Sequence, residues 1–260
     1  FEDSMITTQS EYKIDSANVI LYENIDKILI GLFEANILDQ KISGTIDITD
    51  GVLIKTKLKV NLDKILADQR YFVIKGNEYF NASLLIKNNK SNLYLESDLT
   101  NTKFTSVIDE LSKNYSESLK TFVKIRDLSN PSYSISNKLF DVFLDQESNG
   151  FLVYGYSQDE SSAYKKSKKD GFYIYLNLDS LSAEDFLIDS SQNNSSNLKL
   201  IDIKAKKFNL FNNIYNNQTL KIELNPKETI AIFTSKNLNG KIRIDATGFT
   251  LSLIHIWRCR

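Results

Sequence analysis

The dominant feature of this sequence is an alternation of apolar and polar residues with a period of two. Alternation places one side-chain set on a buried face and the other in water, which is typical of strands in an antiparallel sheet with one solvated face. Leu58 and Val60, for example, alternate with Lys57 and Lys59. Runs of this kind occupy residues 44–49, 54–62, 80–87, 172–179, 201–208, 220–224, 228–233 and 240–246.

So many one-faced strands need a cover for their apolar side, and few helices are available to provide it. We therefore predict an all-β fold with a few short helices, whose strands cover their apolar side by a second sheet, by closure or by a ligand. A long apolar trough that holds lipid chains is one of these solutions. We see no boundary within residues 1–250, which are predicted to form a single segment of a larger repetitive β-domain.

Asparagines mark the predicted chain reversals, because Asn tolerates left-handed backbone conformations and hydrogen bonds locally in turns. Asn239-Gly240 predicts a hairpin between two alternating runs. Further turns are predicted at Asn88-Asn89, at Asn212-Asn213 and at Asn216-Asn217.

Three stretches depart from the period of two and predict helices. Residues 23–33 carry Ile25, Ile28, Leu29 and Leu32 at helical spacing. Residues 105–122 carry a second such pattern after a capping Thr or Ser, and a short helix is predicted to begin at Ser182.

The composition excludes several functional classes. The 32 Lys+Arg balance 33 Asp+Glu, so no basic excess is present to neutralise nucleic acid. A single Cys and a single His leave no disulfide framework, no Cys- or His-built metal site and no Ser-His-Asp triad. Glycine-rich phosphate loops are also missing from the sequence. We therefore expect no enzyme activity, no cofactor and no metal.

The last ten residues differ from the rest of the chain. They hold the only His, the only Trp and the only Cys, namely His255, Trp257 and Cys259. The run resembles translated adaptor sequence at the end of an environmental contig, so residues 251–260 are predicted to be a non-native tail; the alternative is a last edge strand with a basic end. The chain opens at Phe1, with its first Met at position 5, which indicates an internal fragment of a longer protein.

Several polar or aromatic features allow either a structural or a functional interpretation. Carboxylate pairs at 159–160 and 184–185 are read as solvated surface rather than as acid/base catalysts. The basic run 165–170 is read as a solvated loop, the alternative being contact with anionic lipid. Strand tyrosines are read as cross-strand packing, the alternative being a saccharide-binding face; they are Tyr154, Tyr156, Tyr173 and Tyr175.

Two segments resemble the AsmA-like, YhdP-type family of bacterial envelope proteins. In residues 76–125, a strand pair is followed by a turn at 97–101 that is similar to the family's "dLkn" turn, and then by a loop over the sheet. In residues 171–244, the order is similar to that of a further family region. It comprises Ala183-Glu184-Asp185-Phe186, then Leu210-Phe211-Asn212-Asn213, then Leu238-Asn239-Gly240. Phe186 stands where the family usually has Trp.

The resemblance implies a Gram-negative periplasmic protein anchored to the inner membrane through a segment outside this fragment. It implies an all-β fold in which a long, twisted antiparallel sheet is curled into an open apolar groove. Such a protein is a bridge that carries phospholipid acyl chains between the inner and outer membranes and has no catalytic residues. Protein partners are not indicated, and the alternative function is a surface or adhesin-like β-protein that binds glycan or protein. The predicted groove lining is Leu58, Val60, Ile86, Ile174, Leu176, Ile201, Ile203, Ile222, Leu224, Ile230, Ile232, Ile242 and Ile244.

Overall fold

The computed structural model describes residues 6–7, 13–23, 29–37, 40–64, 72–106, 108–157, 170–182, 197–210, 213–236, 238–245 and 248–256. These residues form eighteen β-strands and two three-residue 3-10 helices, and that part of the chain contains no α-helix. The predicted all-β class is confirmed.

The chain divides into two compact units. Unit 1 comprises residues 1–68, 74–103 and 114–134, and unit 2 comprises residues 69–73, 104–113 and 135–260. Strands β6, β8 and β10 each contribute residues to both units. The prediction of a single segment over residues 1–250 stays a prediction.

Unit 1 is built from an antiparallel ladder in the order β2-β3-β4-β5-β6-β7-β9, with β1 paired to β2. A 3-10 helix at Leu62–Lys64 follows β5. The strands are β1 (Ile6–Thr7), β2 (Lys13–Glu23), β3 (Leu29–Ile37), β4 (Gln40–Ile48), β5 (Val52–Asn61), β6 (Phe72–Lys87), β7 (Lys90–Ser97), β8 (Thr102–Ser106) and β9 (Thr121–Arg126).

Unit 2 is built from consecutive strands, each paired with the next from β11 to β18. The second 3-10 helix, Asp109–Leu111, belongs to this unit. The strands are β11 (Phe140–Leu144), β12 (Gly150–Tyr154), β13 (Phe172–Ser182), β14 (Leu198–Leu210), β15 (Asn213–Asn225), β16 (Glu228–Thr234), β17 (Leu238–Asp245) and β18 (Gly248–Ile256); β10 (Ser132–Ser136) spans the division.

Two pairings in unit 2 are parallel, so the sheet is mixed rather than purely antiparallel. They join β12 to β13 and β13 to β14. A parallel pair needs a crossover connection of about a dozen residues or more. Residues 155–171 and 183–197 connect these strands and are long enough for such crossovers.

The predicted turns have mixed outcomes. The turn at Asn88 and Asn89 is confirmed, with φ angles of 53° and 58° between β6 and β7. The turn at 97–101 also lies between two strands, and Leu99 there has a φ of 48°. Asn239 and Gly240, in contrast, do not lie at the chain reversal, because both belong to β17 and pair with Thr234 and Phe233 of β16. The side chain of Asn239 accepts the N–H of Ser235, which follows β16. Asn217 lies within β15 and does not reverse the chain.

The predicted helix at residues 23–33 is wrong, because β2 ends at Glu23 and residues 29–37 form β3. Both faces of β3 are apolar, because Ile30 and Leu32 lie on one face and Phe33 lies on the other. Apolar residues from two faces of a strand together produce the spacing that is typical of a helix. Ile25 and Ile28 lie outside the described residues.

The predicted helix at residues 105–122 is also wrong, since only Asp109–Leu111 is helical. The chain instead folds back on itself through a paired bridge between Phe104 and Lys113. The Ser106 hydroxyl accepts the Ile108 N–H at 3.2 Å and closes the turn. Ser182, where the short helix is predicted to begin, is instead the last residue of β13, and residues 183–186 lie outside the described part.

Residues 251–256 of the predicted tail belong to β18, which pairs antiparallel with β17. Residues 251–256 are therefore strand residues, while the non-native origin of residues 251–260 stays a prediction.

Candidate functional site

Each ladder has an apolar side that is a candidate site, and the first along the chain is in unit 1. Strand register aligns apolar residues of five consecutive ladder strands into one row. We call this row, together with the other side chains on the same side of the ladder, the unit 1 apolar face. The row is Ile46, Ile54, Leu84, Leu93 and Ile125. The predicted lining residues Leu58 and Val60 lie on this face through β5, and Ile86 lies on it through β6.

The unit 1 apolar face is only partly buried. A buried cluster is formed by Phe33, Ala35, Ile42 and Ile46 on β3 and β4. Beyond it, Leu58 and Val60 are half-buried and Ile86 is 39% exposed. Side chains on this face can therefore contact an added apolar molecule without leaving their positions.

A buried carboxylate ends the unit 1 apolar face. Glu78 lies opposite Val60 and is only 3% exposed. Its oxygens accept the Asn101 backbone N–H at 2.9 Å and the Asn101 side-chain amide at 3.3 Å. These hydrogen bonds satisfy the carboxylate where it is removed from water. Gly76 enables this approach of the two segments, because a Cβ there would lie 2.1 Å from the Asn101 carbonyl oxygen.

Unit 2 presents a longer apolar side, which we call the unit 2 apolar face. The parallel and antiparallel registers align one row across β13 to β17, namely Ile174, Ile201, Ile222, Ala231 and Ile242. A second row beside it is Tyr154, Leu176, Ile203, Leu220 and Phe233. Leu224 and Ile244 lie on the same face, joined through Thr229. Eight of the predicted lining residues therefore share this face.

The prediction that Ile230 and Ile232 line the same face is wrong, since they lie on the opposite face of β16. Ile232 is paired with Lys221 and Lys241, and Ile230 with Glu223 and Arg243. Residues 230–233 are apolar without a break, so alternation alone does not decide which pair faces inward. The register with β15 and β17 decides it, and Ala231 and Phe233 take the inward positions.

The two rows of unit 2 differ in burial. Ile203 is 0% exposed, and Leu176 and Leu220 are also buried. Ile174, Ile201, Ile222 and Ile242 are half-buried and pack against the buried cluster from its side. The half-buried row is the part of the face that an apolar ligand can reach.

A cover segment at residues 108–111, missed by sequence reasoning, packs on the unit 2 apolar face. Ile108 belongs to its buried cluster, and Leu111 packs against that cluster. Tyr154 donates its hydroxyl to the Glu110 carbonyl at 2.6 Å. The Glu110 carboxylate accepts the backbone N–H groups of Asp179 at 3.0 Å and Ser180 at 2.6 Å.

The environment of Tyr154 alters its acidity. Burial raises the pKa of the Tyr154 hydroxyl, and the negative charges of Glu110 and then Asp179 raise this pKa further. The hydroxyl therefore stays a donor to the cover segment over the ordinary pH range. The signal available in the sequence was the apolar group Val107, Ile108 and Leu111, whose spacing predicts a helix.

The alternation in unit 2 shifts by one residue along three neighbouring strands. Ser180, Lys207 and Asn216 are side by side, and beyond them the buried side continues through Leu181, Phe208 and Tyr215, which are also side by side. Asn217, which has a φ of 52°, lies at this point of β15, while the register between β14 and β15 continues without a shift. The shift in alternation extends the apolar face by one row that the period of two did not predict.

Two polar side chains interrupt the unit 2 sheet. Gln218 is 1% exposed beside Ala205, and its Oε1 has no hydrogen-bond partner among the described residues. On the opposite face, burial raises the pKa of the Asp202 carboxyl, while Lys204 and Lys221 oppose the increase. Asp202 Oδ1 and Asn209 Oδ1, which also have no hydrogen-bond partner among the described residues, lie on that opposite face.

The remaining predicted features are resolved in part. Tyr154 lies on the unit 2 apolar face, whereas Tyr173 and Tyr175 lie on the opposite face, so these tyrosines do not share one saccharide-binding surface. The carboxylate pairs at 159–160 and 184–185 and residues 165–169 of the basic run fall outside the described residues.

Within the described ranges, no group of three or more His, Cys, Asp or Glu side chains is arranged to hold a metal ion. The same ranges include no helix with the length and hydropathy to cross a membrane. In comparisons with known proteins, no family model, no curated protein and no solved structure matches this chain.

Proposed function

We propose that this chain is a segment of a bridge that carries phospholipid acyl chains along its apolar sheet faces. The observation that carries the proposal is the half-buried row of Ile174, Ile201, Ile222, Ala231 and Ile242, continuous over five strands. A continuous row of this kind supports sliding of an apolar chain without a fixed polar contact.

The energetics favour acyl chains over polar ligands. Each methylene removed from water contributes about 0.8 kcal/mol, so even a short stretch of acyl chain against this row is held without headgroup contacts. An ion introduced into the row would be buried without a partner, which costs several kcal/mol. The row is therefore suited to hydrocarbon and unsuited to charged ligands.

The resemblance noted in the sequence supplies the cellular setting of the proposal. In that setting the protein is periplasmic, is anchored to the inner membrane of a Gram-negative bacterium and moves phospholipid between the two membranes. The groove carries lipid by contact alone, with no enzyme activity, cofactor or metal.

Photo-crosslinking at matched isoleucines tests the proposal. Ile222 and Ile232 are both half-buried and lie on adjacent strands, but they lie on opposite faces. With a photoreactive residue at each position in turn, the protein is incubated with vesicles of phosphatidylethanolamine and phosphatidylglycerol. We expect lipid capture at Ile222 and little at Ile232. Equal capture at both positions, or none at either, contradicts the proposal and favours the surface-binding alternative.

Charge substitution at the same two positions tests the mechanism. Ile222→Asp should abolish lipid capture by a probe at Ile242, because the carboxylate interrupts the apolar row. Ile232→Asp, placed between Lys221 and Lys241, should leave this capture intact. Circular dichroism of both variants separates loss of capture from loss of fold, and retained capture in a folded Ile222→Asp protein would refute sliding along the row.

A further inference from the structure

A recess on the polar side of unit 1 has the features of an anion-binding site. It has a volume of about 530 Å³ and lies over β4, β5 and β6. Its lysines, Asn77 and Tyr79 project to the side opposite the unit 1 apolar face, and Ile42 of that face also borders it. Its polar lining is Gln40, Lys41, Lys57, Lys59, Asn61, Asn77 and Tyr79. The proposed lipid path does not use any of these side chains.

Strand alternation builds the recess from two adjacent strands. Lys57, Lys59 and Asn61 project to the same side of β5 because they are two residues apart. Register places Tyr79 beside Lys59 and Asn77 beside Asn61 on β6. The donors therefore converge from both strands onto one space.

Only one of the three recess lysines forms an ion pair within the described part of the protein. Lys41 pairs with Glu34 at 2.8 Å. Lys57 and Lys59 form no ion pair with any described carboxylate; their ammonium groups instead lie 5.1 and 5.9 Å from the centre of the Tyr79 ring. One aromatic ring thus holds two like charges together, and an anion between them would relieve their repulsion.

The nearby polar groups leave donors available to a ligand. Asn61 uses its Oδ1 to accept the Asp63 N–H at 3.0 Å, so its amide nitrogen can face the recess. Asp63 in turn accepts the Gly76 N–H at 2.6 Å. Gln40 donates to the Lys59 carbonyl at 2.9 Å and ties β4 to β5 at the edge of the recess.

We propose that this recess binds a phosphate group that carries an organic substituent. Two ammonium groups and side-chain amides are the donors that phosphate oxygens accept, and charge-assisted hydrogen bonds of this type are the strong ones. The volume exceeds that of a bare phosphate, and the 47% exposed Tyr79 ring offers an apolar surface to the substituent. The group can belong to a soluble phosphate ester or to a phospholipid headgroup.

Two experiments distinguish the two sources of the phosphate group. Calorimetry with glycerophosphate tests a soluble phosphate ester, and flotation with phosphatidylglycerol vesicles tests a phospholipid headgroup. The variant is the double substitution Lys57→Gln with Lys59→Gln, at two exposed positions. The matched control is Lys90→Gln with Lys124→Gln, which removes the same charge from unit 1 outside the recess and includes another lysine over a tyrosine, at 4.8 Å.

We expect binding of at least one probe, weakened about tenfold or more for each lysine lost in the recess variant and unchanged in the control. Binding of glycerophosphate alone assigns a soluble ester, and binding of vesicles alone assigns the headgroup; either supports the proposal. Absence of binding to both probes, or equal weakening by variant and control, overturns it. Lipid capture at Ile222 is measured separately and does not depend on this result.

Discussion

The two units begin from the same sequence pattern and differ in how deeply they bury it. In unit 1 the buried cluster lies on β3 and β4, and Phe80 and Ala82 on β6 are also buried, but Ile54, between these strands on β5, is only half-buried. In unit 2 the central residues Leu178, Ile203 and Phe208 are almost completely removed from solvent. Alternation therefore selects a face, while the depth of burial is set by what packs on that face.

Strand β2 in unit 1 shows the opposite extreme. Val19, Ile20, Leu21 and Tyr22 are each more than 40% exposed, so both faces of this strand present apolar side chains to solvent. Unit 2 places the cover segment, with Ile108 and Leu111, on its buried cluster. In the described residues, β2 has apolar side chains exposed on both faces, whereas the unit 2 apolar face is packed against a further segment of the chain.

The largest expected effect comes from the same substitution at matched positions of the two units. Ile203→Ala should reduce the free energy of unfolding by about 2–5 kcal/mol, because it creates a cavity in a fully buried site. Ile54→Ala should cost about half as much, since its half-buried side chain loses less contact. Urea unfolding, followed by hydrogen exchange of amides in each unit, measures both. Equal costs would contradict the difference in depth.

A second, smaller effect should follow removal of the charge that holds the cover segment. Glu110→Gln weakens two hydrogen bonds to the backbone of β13, at a cost of about 1–3 kcal/mol. It should also lower the pKa of Tyr154, measured by ultraviolet titration, although burial keeps that pKa raised.

The control for the cover segment is Glu117→Gln. Glu117 accepts one exposed N–H, that of Asn114 at 3.3 Å, and its substitution should change stability by less than about 0.5 kcal/mol. If Glu110→Gln also leaves the stability unchanged, the contacts of Ile108 and Leu111 hold the cover segment without the carboxylate.

The smallest expected effect is on the pH dependence of stability, and it is expected from Asp202 on the polar side of unit 2. Burial raises the pKa of Asp202 in the folded protein, so the folded state holds this proton more tightly than the unfolded chain. Asp202 therefore lowers stability above its folded pKa, and the penalty fades as the pH falls through that value and disappears below the unfolded pKa.

Asp202→Asn should accordingly raise the Tm at neutral pH and leave it unchanged in acid. Asp98→Asn, at an exposed position in unit 1, is the control and should not change the pH profile in this way. Parallel Tm–pH curves for the original protein and Asp202→Asn would argue that water reaches Asp202 freely.

Much of the fold and part of the site could be predicted from local sequence. The period of two placed Leu58, Val60 and Ile86 on one face and Ile174, Ile203, Ile222 and Ile242 on another. It failed at Ile230 and Ile232, where four consecutive apolar residues satisfy either register. It also failed at residues 23–33, where a strand with two apolar faces imitates a helical spacing.

By itself, the sequence determined the strand class, the turn at Asn88-Asn89 and the polarity of most strand faces, because steric limits and side-chain alternation act within a few residues. The tertiary structure alone decided the parallel pairing of β13, the side taken by β16, the docking of Glu110 on β13 and the recess around Tyr79. Each of these depends on strands or segments brought together from distant parts of the chain, where register and burial, rather than local preference, select among patterns of nearly equal local free energy.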